Sequence, residues 1–468
     1  MPVRGPEVSR TRIPLVGDHD VAVQALVARL RRLPGFVALT GTGPRPEARY
    51  SIFAAFPVAE VVIPASAPTR SVDPWAALNL LASGPRVEGA DDLPFVGGVI
   101  AYLSYDLRCF VEAVSDRHSS EGAAPLLVGR KFGAAVVVDR DSACAFVIAI
   151  VSSGDRDLDD AAAVAKEQLL RAILTEAPRE DFGEPLRPSK PKFLMSRKDY
   201  LARIEDVVQH LYAGDVYQVN FTYPVEGPIV GGVGAFYERL VRHNPAPFGG
   251  LFRLGDDSWI ASASPERFLR VNGRDVTTRP IKGTAARGRT PESDAKLGAA
   301  LLSSEKDRAE LAMITDLLRN DLARSCESGS VRVEDARALE SYATVHHLVA
   351  TVAGRLREQK SVAELLRDAW PGGSISGVPK VRAMSIIDRL EVARRGFYTG
   401  SLGYISWNSR SDWNLLIRSA WVNGDSALTW VGGGITVLSN GEQEWAETLH
   451  KLQGIASAAP WSIPEVPQ

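Results

Sequence analysis

The order of strand-like and helix-like segments is the feature that most restricts how this chain of 468 residues can fold. Between residues 193 and 456, apolar strand patterns and amphipathic helix patterns alternate irregularly, without the fixed spacing of a solenoid or a propeller. No run of regular βαβ units indicates a doubly wound parallel sheet. The pattern therefore predicts an α+β fold with large antiparallel sheets. The length predicts two or three structural units, or one large interwoven domain.

Changes in composition divide the chain into an N-terminal region, a helix with a linker, and a long C-terminal region. The predicted bounds are 1–152, 153–192 and 193–456. The first region has a predicted hairpin, formed by Lys131–Asp139 and Ala143–Val151. The second ends in a connector, residues 176–192, which is rich in Pro, Glu, Arg and Lys. The third opens with a predicted helix over Ser196–Tyr212, capped by Ser196.

Composition excludes several classes of protein. A net charge of -2 argues against a general nucleic-acid binder, which would carry a basic stripe. The three cysteines, Cys109, Cys144 and Cys326, are too far apart to indicate a zinc site or a disulfide framework. The N-terminus lacks the apolar segment of a secretory signal, and the apolar stretch Ala143–Val151 is too short to span a membrane. A cytoplasmic protein is the expectation.

Two acidic groups lie on predicted helices. Glu310 lies at the edge of the apolar face of a helix over Asp307–Leu322. Glu444, Glu447 and Lys451 are spaced to share one face of a later helix. One interpretation is a solvated carboxylate in the first helix and an ordinary i,i+4 ion pair in the second. The other is a magnesium site, because Mg²⁺ prefers oxygen ligands. The sequence alone does not bring Glu310 and Glu447 together.

Other residue patterns are compatible with an anionic ligand. The three glycines Gly432–Gly434 follow an apolar strand and would let backbone N–H groups approach an anion, or form a bulge. Arg418 lies in a strand pattern and needs either a structural or a ligand carboxylate. Lys282, between isoleucine and glycine, is more constrained than most lysines, and a lysine desolvated in a pocket becomes a nucleophile. Lys380 follows a proline, so no Walker phosphate loop is present.

Taken together, these segments resemble the chorismate-binding enzymes, the family of anthranilate, aminodeoxychorismate, isochorismate and salicylate synthases. The matching segments are Ala213–Asn220, Ser264–Phe268, Arg279–Thr284, Glu310–Leu322, His347–Val349, Pro371–Met384, Gly400–Tyr404, Ile417–Ala420 and Gly432–Lys451, with Phe95–Asp106 nearer the N-terminus. They follow the order of the family. The resemblance implies large antiparallel sheets packed face to face with helices outside, and chorismate as the substrate.

The resemblance also implies roles for individual residues. Glu310 and Glu447 would bind Mg²⁺, with Glu444 nearby through water, and the metal would bind the ring carboxylate of chorismate. Glu266 would be the acid that protonates the departing C4 hydroxyl, with His347 close to that hydroxyl. The residues expected to bind the substrate are Gln218, Gly283, Thr284, Tyr404, Arg418, Gly432, Gly433, Gly434 and Lys451.

Two positions separate the branches of the family. Isochorismate and salicylate synthases have a water-activating lysine where this chain has Gln218, so water attack is disfavoured. The branch that aminates C2 of chorismate, forming anthranilate, has alanine where this chain has Lys282, and the branch that aminates C4 has lysine. The resemblance therefore predicts amination at C4, through a covalent adduct of Lys282 at C2. Amination at C2 is the alternative.

The family also predicts partners and a second ligand site. No segment of the chain resembles a glutaminase with a nucleophilic cysteine, so a separate glutamine amidotransferase subunit is expected to supply ammonia. Family members that bind tryptophan carry a serine before an Arg-Tyr-Ser segment, and the corresponding stretch here, Ala38–Gly41, has none. The other side of that site, Pro245, Ala246 and Pro247, is present. The sequence leaves tryptophan binding open.

Overall fold

The computed structural model describes residues 5–15, 17–43, 47–69, 71–175, 187–341 and 345–465. The strands are β1 Glu7–Pro14, β2 Val37–Thr40, β3 Tyr50–Ala54, β4 Ala59–Ile63, β5 Gly98–Leu103, β6 Leu127–Phe132, β7 Ala134–Asp139, β8 Cys144–Val151, β9 Lys192–Phe193, β10 Gln218–Pro228, β11 Phe248–Arg253, β12 Ser258–Ser264, β13 Arg267–Asn272, β14 Asp275–Thr278, β15 Ile281–Ala286, β16 Arg332–Ser341, β17 Val345–Arg355, β18 Gly377–Val378, β19 Ser401–Ser406, β20 Arg410–Asn414, β21 Ser419–Asn423 and β22 Ser426–Ile435.

The helices lie between these strands. They are α1 His19–Leu30, α2 Pro74–Ala82, α3 Arg156–Leu174, α4 Arg197–Tyr212, α5 Gly232–His243, α6 Pro291–Ser303, α7 Glu305–Ala323, α8 Val362–Ala369, α9 Lys380–Leu390 and α10 Gly441–Ala458. Short 3₁₀ turns occur at Glu47–Arg49, Tyr105–Phe110 and Gly373–Ile375. No helix in the described parts of the chain is both long and apolar enough to cross a membrane.

The strands form two large sheets, and neighbouring strands within each sheet pair in the antiparallel sense. The first has the order β1-β8-β7-β3-β2-β11-β12-β21-β22-β10-β18, with β9 also on β10. The second has the order β15-β17-β14-β13-β20-β19-β5-β6-β4, with β16 also on β17. Each sheet contains strands from before residue 152 and after residue 193. The division into three regions stays a prediction about the organisation of the chain.

The two sheets pack face to face. Strand β5 is apolar throughout because each of its two faces is buried in a different core. Successive side chains of a strand point to opposite faces. Ile100 and Tyr102 belong to the core between the sheets, where the Tyr102 ring lies 6.4 Å from that of Phe252 in β11. Val99 and Leu103 belong to a second core, formed with α2, α7 and α8 on the outer face. Helices α1, α3, α4, α5 and α10 pack on the outer face of the first sheet. The predicted α+β fold is confirmed.

Local sequence signals fixed several element bounds. Strands β7 and β8 form the predicted hairpin, but β7 begins at Ala134, because Lys131 and Phe132 belong to β6. Ser196 caps α4, accepting a hydrogen bond from the Asp199 N–H. The predicted helix over Asp307–Leu322 begins two residues earlier, because the Ser304 side chain caps it. Most of the predicted connector, residues 176–186, lies outside the described residues.

A buried ion pair fixes α7 against α9. The Lys380 ammonium group donates to Asp321 Oδ2 at 2.7 Å and to the Ala369 carbonyl oxygen at 3.0 Å. Both charged side chains are less than a tenth exposed. Burial raises the pKa of Asp321, and the Lys380 charge opposes that rise. The pair therefore stabilises the position of the helix that carries Glu310.

Replacing Lys380 with methionine is expected to lower the free energy of unfolding by about 3–5 kcal/mol, because Asp321 would remain buried without its partner. The double variant Lys380→Met with Asp321→Leu should recover most of that loss. Urea unfolding of the two variants checks this. A single variant within about 1 kcal/mol of the parent protein would contradict the assigned role.

Candidate active site

Lys282 lies on a strand with a bulge. Strand β15 pairs with β17, with Lys282 opposite Leu348 and Thr284 opposite His347, and the register shifts between these pairs. The intervening Gly283 has φ +74°, in the left-handed region that favours glycine. A Cβ at this position would lie 2.9 Å from Asp307 Cγ. Glycine is therefore required both by the bulge and by the side chain of α7 that packs against it.

Glu266 is buried beside this strand, directly before β13. Its Oε1 accepts a hydrogen bond from Ser374 Oγ at 2.7 Å, and its carboxylate also accepts one from the Ile281 backbone N–H. Burial raises the pKa of Glu266, whereas the Ser374 hydroxyl and the Lys282 charge act to lower it. Glu266 therefore holds a proton more readily than an exposed carboxyl group, and it lies close enough to Lys282 for their charges to interact.

The fold brings the two predicted acidic groups together. Burial raises the pKa of Glu310; the Lys282 and Lys306 charges oppose the rise, and the Glu447 charge adds to it. Glu444 Oε1 accepts a hydrogen bond from Ser439 Oγ at 2.7 Å, and burial together with the Glu447 charge raises its pKa. Glu310 on α7 and Glu444 and Glu447 on α10 therefore form one acidic cluster, which lysines surround.

Lys451 connects this cluster to the glycine strand. Its ammonium group lies 2.7 Å from Glu447 Oε1 and donates to the Gly432 carbonyl oxygen at 2.8 Å. Glu447 lies in an open cleft, with its side chain 56% exposed. The surrounding protein acts to raise the pKa of Glu447, but the Lys451 ammonium outweighs this effect and the pKa is lowered. The i,i+4 ion pair expected from the sequence is present within the acidic cluster.

The three glycines of β22 let other side chains approach the strand closely on both of its faces. A Cβ on Gly433 would lie 3.3 Å from Glu444 Oε2 and 3.5 Å from Lys451 Nζ. A Cβ on Gly434 would lie 2.0 Å from Gln218 Nε2, so the Gln218 amide occupies the space that glycine leaves. Gln218 is buried, and its Oε1 has no hydrogen-bond partner among the residues described.

Arg418 and His347 face the same pocket. The Arg418 backbone has φ +48°, and its accessible guanidinium has no carboxylate partner in the described part of the chain. The densely packed surroundings of that guanidinium lower its pKa. Burial, followed by the Arg418 charge, lowers the pKa of His347 to about 4. His347 Nδ1 lies 2.9 Å from Thr284 Oγ1. An anion entering this pocket would therefore meet an unpaired arginine.

A family model described as chorismate binding enzyme matches residues 44–457. The chain belongs to the chorismate-binding enzyme family. An aminodeoxychorismate synthase component 1 of Salmonella typhimurium is 37% identical, over 78% of this chain and 77% of its own length. An anthranilate synthase component 1 of Haloarcula marismortui is 35% identical, over 84% of this chain and 83% of its own length. The crystal structure of anthranilate synthase component I from Streptococcus pneumoniae has a TM-score of 0.77 at 28% identity, covering 88% of this chain and 93% of that one.

In this chorismate-binding enzyme, Tyr404 lies apart from Arg418. It lines a second cavity of about 570 Å³ between the sheets, together with Arg267 and Asp412. The charges that act on the Tyr404 hydroxyl are those of Asp412 and of arginines in and beside that cavity. The prediction that Tyr404 and Arg418 hold one substrate carboxylate is therefore corrected. Tyr404 points into the core between the sheets, and residue spacing along a strand does not show which face carries the pocket.

Tyr398, rather than Tyr404, lies near Glu266, and the sequence analysis did not identify it. Its ring stacks on that of Trp430 at 6.0 Å, two residues before Gly432. Burial raises the pKa of Tyr398, Arg395 opposes the rise, and the Glu266 charge contributes to it. A tyrosine in a short segment between two glycines, six residues before Tyr404, was the available signal. Asp307, which packs on Gly283, was also missed, although it lies one helical turn before Glu310.

The second cavity contains the segment that resembles a tryptophan site. The Thr42 N–H donates to the Ala246 carbonyl oxygen at 3.0 Å, and the Ala246 N–H donates to Thr42 Oγ1 at 3.2 Å. Pro245 packs against Gly43, and Pro247 lines the cavity. The two sides expected from the sequence therefore meet here, and none of the residues around Lys282 lines this cavity.

The lowered pKa of His347 predicts a pH effect on stability. The folded protein keeps His347 neutral down to a pKa of about 4, whereas in the unfolded chain the imidazole takes up its proton near the ordinary histidine pKa of 6.5. Stability is therefore lost as pH falls between these values. Replacing His347 with glutamine should make the loss between pH 7 and pH 5 smaller by about 2 kcal/mol.

Urea unfolding at both pH values measures this difference. Replacing the exposed His243 with glutamine is the matched control, and it should retain the loss of the parent protein. An equal loss in the His347→Gln variant and in the parent would refute the assignment of a buried neutral imidazole.

Proposed function

We propose that this chain is the chorismate-aminating component of an aminodeoxychorismate synthase, which converts chorismate and ammonia to 4-amino-4-deoxychorismate on the route to 4-aminobenzoate and folate. Relatives named for C4 amination and for anthranilate formation are 37% and 35% identical, so overall identity does not choose between them. The residue at position 282 distinguishes the two activities, since the anthranilate branch has alanine where this chain has Lys282. The observation that supports this proposal most is that Lys282 lies close enough to Glu266, Glu310 and Glu447 for its charge to act on the pKa of all three.

The Lys282 amine supplies the first of two displacements. The neutral amine attacks C2 of chorismate through its nitrogen lone pair, both conjugated ring double bonds shift, and the C4 hydroxyl leaves as water with the proton that Glu266 donates. Ammonia then attacks C4, both double bonds shift back, and the bond between C2 and lysine breaks, returning the amine and keeping the pyruvyl enol ether. In the described residues, the Lys282 ammonium forms neither a hydrogen bond nor an ion pair. A side chain without a fixed partner is free to reach the ring.

Glu266 is the proton donor to the departing hydroxyl. A buried carboxyl group with a raised pKa stays protonated at a higher pH than an exposed one, as this role requires. Hydroxide is a poor leaving group, so the proton must arrive as the C4–O bond breaks and the group leaves as water. His347 is neutral at physiological pH, because its pKa is about 4, and it therefore acts through hydrogen bonds rather than as a cation.

Charged and backbone groups hold the two carboxylates of chorismate. Arg418 offers an accessible guanidinium that matches a carboxylate in a bidentate arrangement. Tyr398 and the backbone N–H groups near Gly433 lie on the adjoining wall, and Thr284 and Gly283 line the ring side. Lys451 contributes positive charge beside Glu447. Gln218 occupies the position of the water-activating lysine of other branches, which favours ammonia over water.

Mg²⁺ fits the acidic cluster by the chemistry of its donors. No group of three or more His, Cys, Asp or Glu side chains in the described ranges is arranged to hold a metal on its own. Mg²⁺ commonly uses one or two carboxylates with waters and substrate oxygens. Glu310 and Glu447 would be these carboxylates, with Glu444 acting through water. Burial raises the pKa of Glu310 and of Glu444, the Glu447 charge adds to both rises, and a bound cation would oppose them. When bound, the metal would neutralise the ring carboxylate of chorismate.

Ammonia is supplied by a separate glutamine amidotransferase subunit. The Salmonella typhimurium relative is named as component 1, which supports a second component. A glutaminase needs a reactive cysteine, and here Cys144 and Cys326 are buried. Burial also raises the pKa of the Cys109 and Cys326 thiols to about 11, so both are poor nucleophiles. A cytoplasmic location stays a prediction.

Replacing Lys282 with alanine should lower the rate of C4 amination by about 100-fold or more, because the first displacement loses its nucleophile. The assay contains the purified chain, chorismate, Mg²⁺ and ammonium, followed by an aminodeoxychorismate lyase that turns the product into 4-aminobenzoate. Anthranilate is measured in the same samples by its fluorescence. Replacing the exposed Lys296 with alanine is the matched control.

Two results would contradict the proposal. Anthranilate as the main product of the parent protein would establish amination at C2. Unchanged C4 amination in the Lys282→Ala variant, with the control also unchanged, would exclude a nucleophilic lysine.

Glu266→Gln should lower kcat by roughly 10²–10⁴-fold, because the amide cannot donate the proton. In the parent protein, activity should fall as pH rises through the pKa of Glu266, since the acid form is the active one. The Ser374 hydroxyl lowers that pKa, so Ser374→Ala should move the falling limb of the pH profile to higher pH. A limb that stays in place, or moves to lower pH, would argue against Glu266 as the acid.

A further inference from the structure

Arg279 joins three parts of the chain at the start of the Lys282 strand. Its Nη1 contacts Glu47 in the 3₁₀ turn of the N-terminal region, and its Nη2 contacts Glu340 on β16. The three side chains are between 12% and 24% exposed, so both ion pairs are largely shielded from water. Arg279 lies three residues before Lys282.

The Lys282 strand has few other constraints. Among the described residues, β15 pairs with β17 alone, and the bulge at Gly283 interrupts that pairing. Pro280, next to Arg279, has no N–H to donate, although its carbonyl oxygen accepts a hydrogen bond from the Ala350 N–H at 3.2 Å. A short strand with one neighbour and a bulge can shift along its partner. The two ion pairs of Arg279 oppose such a shift from both sides.

The same contacts reach the strands that neighbour the Lys282 strand. Glu340 pairs in register with His347, and its charge acts on that imidazole. His347 in turn pairs with Thr284 of β15, whose Oγ1 lies 2.9 Å from His347 Nδ1. Glu47 also lines the second cavity. Arg279 therefore ties the N-terminal region to β15 and, through Glu340, to β16 on the other side of β17.

We infer that Arg279 is a positioning residue, which fixes β15 through Glu47 and Glu340 so that Lys282 reaches C2 of the substrate. The inference rests on the proposed function of Lys282. Arg279 itself does not need to contact chorismate. A displacement of about 1 Å at a reacting group costs about 100-fold in rate. Misplacing Lys282 should therefore affect the chemical step and the choice of carbon more than substrate binding.

The Arg279→Lys variant is the most direct test of this role. Lysine keeps the positive charge that both glutamates need, but its ammonium group lacks the planar fork with which arginine holds two carboxylates. The Arg279→Lys variant should fold with an unfolding midpoint close to that of the parent protein. Its kcat for C4 amination should fall roughly 10-fold, with less than a roughly 3-fold change in KM for chorismate. Anthranilate should form a larger share of the product.

Arg279→Gln and Glu47→Gln extend the test. Arg279→Gln should cause a larger fall in kcat than Arg279→Lys, and Glu47→Gln should shift the product share in the same direction. In a Lys282→Ala background, Arg279→Gln should add less than a roughly 3-fold further fall, because it acts through that lysine. Arg274→Gln is the matched control, since Arg274 forms a comparable ion pair with Glu327 elsewhere in the second sheet.

The outcomes separate this inference from the function on which it rests. If the parent protein aminates C2, the proposed function fails, and the role of Arg279 fails with it. If the parent aminates C4 but folded Arg279 variants keep the kcat and product share of the Arg274→Gln control, only the inference fails. A fall in activity that follows the loss of folded protein, with the product share unchanged, would also overturn it.

Discussion

The concentration of charge in one cleft is the constraint on which the rest of this structure depends. Glu266, Glu310, Glu444 and Glu447 share the cleft with the ammonium groups of lysines 282, 306 and 451. Carboxylates so close to one another, and partly removed from water, resist ionisation unless cations are near. The lysines supply part of that compensation, and a divalent cation would supply more. The same balance keeps one carboxyl group ready to donate a proton while another stays ionised against Lys451.

Two sheets are needed to assemble this cleft. Glu266, Lys282 and His347 are carried by strands of the second sheet or by the residues next to them, whereas Gln218 and the glycines belong to the first. The two acidic helices, α7 and α10, pack on different sheets. The site is therefore a property of how the sheets meet, and a loosened contact between them would separate its acid from its anion-binding glycines.

Local features were predictable from the sequence, and long-range pairing was not. The cap at Ser196, the hairpin of β7 and β8, and the ion pair of Lys451 with Glu447 depend on residues a few positions apart. The proximity of Glu310 to Glu447 depends on the packing of distant elements, which spacing does not encode. Tyr404 was assigned to the wrong cavity for the same reason. The partners of Arg279 are 232 and 61 residues away, beyond any local pattern.

Arg418 shows how such a site limits the stability of its own scaffold. An arginine with φ +48° is held in a backbone conformation that costs about 1–3 kcal/mol and that glycine would adopt without strain. Selection for stability alone would replace it, and the protein would then lose the only kind of side chain that offers a carboxylate a planar pair of donors. Redesign of this enzyme for stability alone would therefore select for replacement the arginine that substrate binding requires.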